Sequence, residues 1–120
     1  MKLVFCVRRL PHLSREEFQT YWRERHAPLV REAAAALGIR RYVQVHTLAS
    51  ALNERLRTGR GAPDEYDGVA ELWFDSVETL TTAGGTPEGR PAGRRLLEDE
   101  RRFIDLARSP LWLAHEHEVV

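Results

Sequence analysis

The spacing of hydrophobic positions changes several times along the chain, and each change marks an element. Residues 3–9, Leu-Val-Phe-Cys-Val-Arg-Arg, are rich in strand formers and are followed by Pro11, which predicts a first strand. Its apolar residues occupy both parities, so this strand is expected to be covered on both faces. Ser14-Arg15-Glu16-Glu17 has the form of a capping box, and its acidic pair suits the start of a helix. At 3.6 residues per turn Phe18, Trp22, Leu29, Ala33 and Leu37 share one face, with Arg25 and His26 on its shoulders. Pro28 has no N–H for the Glu24 carbonyl and disfavours a helical Ala27. A kink, or a stop and restart, is therefore expected near His26, and Gly38 supplies the terminal stop.

Alternation returns at residues 40–47, with Val43 and Val45 on one face and Tyr42, Gln44 and His46 on the other. Residues 49–65 are polar and carry Gly59, Gly61 and Pro63, which predicts a long loop with one helical turn near Leu52 and Leu56. Residues 67–74 read as a third strand, again apolar on both parities, and Asp75-Ser76 as the cap of a short helix over 77–83. After Gly84-Gly85-Thr86-Pro87, helical spacing resumes through Leu96, Leu97, Phe103, Ile104 and Leu106, and residues 111–119 form a fourth strand. The order βαββαβ predicts an α+β, ferredoxin-like fold, a four-stranded antiparallel sheet with its helices on one face. Because strands 1 and 3 are apolar on both sides, an identical subunit is expected to cover the open face, giving a homodimer.

Composition narrows the picture. A length of 120 residues predicts a single domain spanning 1–120. Apolar residues are 42% and charged residues 30%, and mean hydropathy is −0.46, as in ordinary globular proteins. Eighteen basic and eighteen acidic residues balance, which argues against a nucleic-acid partner. No segment has the length of a membrane span, and the strand-like start does not resemble a signal peptide. The lone Cys6, read as a small buried hydrophobe, fits a reducing compartment, so a cytoplasmic location is expected.

His26 is the sharpest chemical candidate. An imidazole beside apolar surface both takes and gives protons near neutrality, and burial would keep it neutral as a base. Tyr42, on the facing strand, is expected to hydrogen-bond a carbonyl or enolate oxygen. His115 and His117 share a strand face, as in many metal sites, but Glu116 and Glu118 point the other way and no Cys/His cluster accompanies them. No metal is expected. Asp99, Glu100 and Asp105 are expected to pair with nearby arginines or cap a helix. Gly84-Gly85 and Gly89 lack the lysine and hydroxyl of a phosphate loop.

One set of residues resembles a known family. Phe18-x-x-Tyr21-Trp22-x-x-x-His26-x-Pro28-Leu29 and Arg41-Tyr42-x-Gln44 are its first blocks. Tyr66-Asp67-Gly68-x-Ala70-Glu71-Leu72-Trp73-Phe74, Asp99-Glu100-x-x-Phe103-Ile104-Asp105 and Glu116 complete it, spread over nearly the whole chain. The chain resembles the EthD-like group of dimeric α+β barrel proteins. The resemblance implies a ferredoxin-like subunit, a dimer of the barrel type, and a pocket between helix and sheet. Relatives include a methylmuconolactone isomerase, polyketide cyclases, and decarboxylases or dehydratases, which work without metal or organic cofactor. In the isomerase the catalytic histidine matches His26 and a pocket tyrosine matches Tyr42. This chain departs from it at Leu72, where the isomerase has a cysteine, and in having no histidine in residues 49–65.

The expectation is a small cofactor-independent enzyme moving protons on a hydrophobic cyclic, lactone-like or aromatic metabolite. His26 and Tyr42 would be catalytic, and Trp22, Leu29, Gln44, His46, Leu72 and Phe74 would contact substrate. The alternatives are a non-catalytic accessory or ligand-binding protein of a catabolic pathway, or a cofactor-free monooxygenase.

Overall fold

The computed structural model describes all 120 residues. In chain order the elements are β1 (Lys2–Val7), α1 (Arg15–Tyr21), α2 (Ala27–Leu37), β2 (Arg41–His46), α3 (Leu52–Arg60), β3 (Gly68–Trp73), α4 (Val77–Gly84), α5 (Gly89–Glu100) and β4 (Leu111–Ala114). The four strands form one antiparallel sheet in the order β2-β3-β1-β4, the ferredoxin-like arrangement. Register places Phe5 opposite Ala70, Leu3 opposite Leu72, and Tyr42 opposite Leu72, so these side chains share the helix-covered face. Phe5, Val7, Ala70, Phe18, Trp22, Phe103 and Ile104 make the buried cluster there.

Ser14 caps α1 with the full capping box: its hydroxyl accepts from the Glu17 N–H at 3.0 Å, and the Glu17 carboxylate accepts from the Ser14 N–H at 2.9 Å. The disturbance expected near His26 takes the form of a change in helix type. The helix runs on from α1 to α2 through a π turn at Trp22–His26, whose wider loop places the Ala27 N–H on the Trp22 carbonyl. That turn accommodates the missing proline donor, and it also shifts the helix face. Buried positions run Phe18, Trp22, His26, Val30 and Ala33, so Val30 occupies the place that regular spacing assigns to Leu29. His26 moves from the shoulder to the centre of the stripe. Gly38, at φ 72°, ends α2 as expected.

Two other boundaries differ from the sequence pattern. Residues 49–65 carry a nine-residue helix, α3, none of whose side chains is buried. Its polar composition hid it, because it has no apolar face turned to the core. β4 stops at Ala114 rather than continuing to 119, since its partner β1 ends its pairing at Lys2, opposite Ala114. His115 and His117 lie in the exposed residues beyond it. No helix is long and apolar enough to cross a membrane.

The Asp67-Gly68 pair locks the start of β3 to the rest of the fold. Asp67, with its side chain almost wholly buried, accepts from the Arg9 N–H at 2.8 Å and pairs with both Arg9 and Arg15. Burial alone would raise its pKa, but these donors outweigh it and hold the carboxyl below its ordinary value. At Gly68 a Cβ would fall 2.5 Å from the Trp22 ring and 2.7 Å from the Val45 carbonyl. Only glycine leaves room for that indole against the strand.

Candidate active site

The π turn, β2 and the end of α5 meet over a cavity of about 230 Å³ between helices and sheet. This is somewhat below the roughly 300–1,000 Å³ typical of ligand pockets. Its walls are apolar except for three side chains, His26, Tyr42 and Glu100. Trp22, Leu72 and Phe74 line it. Leu29, Gln44 and His46 do not; Val30 stands in the wall instead of Leu29 because of the π turn.

His26 is 5% exposed, and its Nδ1 lies 2.8 Å from Oδ2 of Asp99, itself 6% exposed. A carboxylate can only accept there, so Nδ1 carries the proton and Nε2 keeps its lone pair. Nε2 makes no hydrogen bond to protein. Burial lowers the His26 pKa below its ordinary value, and the Asp99 hydrogen bond and charge only partly offset this. The ring is thus neutral at pH 7, held by one nitrogen and free at the other. The second Asp99 oxygen accepts from the Tyr21 hydroxyl at 2.7 Å, while the Arg102 guanidinium stays 3.9 Å away. Phe103 packs against both rings, with centroids 5.1 Å from His26 and 4.9 Å from Tyr21. Asp99 therefore orients His26 and keeps the arginine pairing expected of it only as a long ion pair to Arg102.

Tyr42 is positioned by the other two members of its strand face and by the π turn. Its hydroxyl oxygen accepts from the Trp22 indole N–H at 3.1 Å and from Gln44 Nε2 at 3.1 Å. With both acceptor directions used, the phenolic proton is left to donate elsewhere. Burial raises the Tyr42 pKa to about 12, partly countered by those two donors, so the phenol stays protonated. Gln44 Nε2 also reaches the Trp22 carbonyl at 2.9 Å, tying β2 to the π turn. Its Oε1 accepts from His46 Nε2 at 2.8 Å, and the His46 ring stacks on Trp22 at 4.6 Å. Gln44 and His46 hold Tyr42 and Trp22 in place from behind the wall. Burial, with the Arg23 charge, lowers the His46 pKa, and its Nδ1 is buried without a partner.

Glu100 is the residue the sequence pattern placed elsewhere. It lines the cavity and makes no side-chain hydrogen bond or ion pair to protein. Burial, then the neighbouring Asp99 charge, raise its pKa to about 7, with Arg101 pulling weakly the other way. Asp105 is fixed through its backbone, its N–H donating to the Arg8 carbonyl at 2.8 Å. The chain has no group of three His, Cys, Asp or Glu side chains placed to hold a metal.

The family model of the EthD domain matches residues 10–107. No curated protein matches the chain by sequence. An EthD family protein from Bacillus halodurans C-125 superposes with a TM-score of 0.63 at 22% identity, covering 97% of each chain. An EthD-like protein from Ralstonia eutropha JMP134 gives 0.55 at 20% identity, over 87% of this chain and 81% of that one. A dimeric protein of ferredoxin-like fold from Bacteroides fragilis NCTC 9343 gives 0.57 at 11% identity, over 92% and 90%. These likenesses establish the fold, and the match over residues 10–107 establishes the membership: this chain belongs to the EthD family.

Proposed function

We propose that the chain is a cofactor-independent enzyme that moves a proton on a small hydrophobic metabolite bound in the cavity. The observation that carries this reading is the buried Asp99–His26 pair, which leaves a neutral Nε2 lone pair on the wall of an apolar cavity that Tyr42 also lines. His26 takes a proton from carbon next to a carbonyl, and the electron pair of that C–H bond moves toward the carbonyl oxygen. Tyr42 donates to that oxygen as its charge develops. The imidazolium, stabilised by Asp99, then returns the proton to another atom of the same molecule. Isomerisation, cyclisation and dehydration of cyclic or aromatic compounds all use such a step. A protein that only stores a ligand needs the cavity but not a buried carboxylate aligning a histidine.

The test begins by identifying, with mass spectrometry, the molecule that co-purifies in the cavity. Turnover of that molecule should fall by about 10²–10⁴-fold in His26→Gln. Unchanged turnover would remove His26 from the mechanism.

We further infer that a second copy of the chain covers the open sheet face. Cys6, Val69 and Val45 lie side by side across the sheet there, and Val43 and the Val4–Trp112 pair flank them around Glu71, whose carboxylate is paired with Lys2; Val45 and Trp112 are 45% and 49% exposed. Such a face is more apolar than a free surface usually leaves uncovered.

A further inference from the structure

The cavity holds an unusual set of charges. No lysine or arginine lines it, and β1, β3, α2 and α4 contribute apolar side chains only. Its polar groups are the neutral His26 ring, the Tyr42 hydroxyl and the Glu100 carboxyl. Asp99 sits behind His26, and Arg101, the neighbour of Glu100 in sequence, does not reach the wall. An anionic ligand would therefore lose its hydration, meet no compensating cation, and lie close to two carboxyl groups. A neutral carbonyl oxygen, in contrast, finds two O–H donors, from Tyr42 and from Glu100.

We propose that Glu100 sets the ligand specificity of this cavity, admitting uncharged carbonyl compounds by donating its carboxyl proton in a hydrogen bond and excluding carboxylates and phosphates. This rests on the cavity being the ligand site of the proposed function. The raised pKa of Glu100 agrees with it, since a substantial fraction is protonated near neutrality. A phenol and a protonated carboxyl together also make an effective oxyanion site. Once Glu100 ionises, its charge faces the ligand oxygen and Tyr42, and Arg101, outside the cavity wall, offsets it only in part.

Two probes of nearly equal shape separate the cases: acetophenone, which is neutral, and benzoate, which is anionic throughout. Their binding to the wild type, Glu100→Gln and His26→Gln is measured by calorimetry from about pH 6 to about pH 8.5. Acetophenone should bind the wild type and weaken by about 30-fold over that range, as Glu100 ionises around pH 7. Benzoate should bind at least about tenfold more weakly than acetophenone at pH 6. In Glu100→Gln, whose amide still donates, acetophenone affinity should stay level with pH. His26→Gln should keep the wild-type selectivity. Failure of acetophenone to bind, equal binding of benzoate, or an alkaline loss that persists in Glu100→Gln each overturns the role given to Glu100. Turnover, which tests His26, is a separate readout: loss of selectivity with His26 still essential sinks only this inference, and the converse sinks only the proton-transfer reading.

Discussion

Glu100→Gln should make the protein more stable at alkaline pH and leave it nearly unchanged at acid pH. The wild-type carboxyl lies among apolar side chains with no protein partner, and its pKa rises from an ordinary 4.5 to about 7. A carboxyl with a raised folded pKa costs nothing while both states are protonated, below about pH 4.5. As the pH climbs toward 7 the unfolded chain releases its proton and the folded chain resists, so stability is lost across that window. At about 1.4 kcal/mol per pH unit the loss comes to about 3 kcal/mol, or about 2 once partial exposure is allowed for. Glutamine keeps the shape and removes the ionisation. Urea unfolding at one fixed protein concentration, at about pH 4 and about pH 8.5, should show a gain of about 2–3 kcal/mol at the higher pH only, equivalent to roughly 10 °C in Tm. An equal effect at both pH values, or none at pH 8.5, would refute the buried and unpartnered environment assigned to Glu100.

Other outcomes follow from the same contacts. Asp99→Asn leaves the Tyr21 hydroxyl and the His26 N–H competing for one amide oxygen, so stability should fall by about 1–3 kcal/mol in denaturant titrations. Gly68→Ala puts a methyl group 2.5 Å from the Trp22 ring, and overpacking of that kind should cost about 1–3 kcal/mol and alter the near-ultraviolet signal of the tryptophans. Trp112→Glu places a charge on the open sheet face and should halve the mass measured by light scattering. A wild-type mass of one chain would already contradict the inferred pairing.

Much of the architecture was legible because strand parity and helix caps are local. Ser14 and Glu17, Gly38, and Ser76 each marked a terminus that the structure keeps. The face shared by Tyr42, Gln44 and His46 also followed from period two alone, and all three do turn toward the π turn. Residues near Pro28 were harder. A proline reports that a hydrogen bond is lost, not whether the backbone breaks or widens, and the wider turn exchanged Leu29 for Val30. Asp99 and Glu100 were less legible still. They lie in a run of charge ending α5, where acids usually face water, and only tertiary packing turns Asp99 to His26 and Glu100 into the cavity. A usable signal did exist: Asp99-Glu100 precedes Phe103-Ile104, the pair buried under the same helix, so the acids one turn earlier were bound to approach the core.

In the proposed reaction Asp99 holds His26 as a neutral base with Nε2 open to the cavity. The most direct measurement is the imidazole ¹⁵N spectrum of His26 at pH 7, assigned by comparison with His26→Gln. The geometry predicts a proton on Nδ1, an unprotonated Nε2, and titration below the ordinary histidine range. A ring protonated on Nε2, or an imidazolium at pH 7, would contradict it.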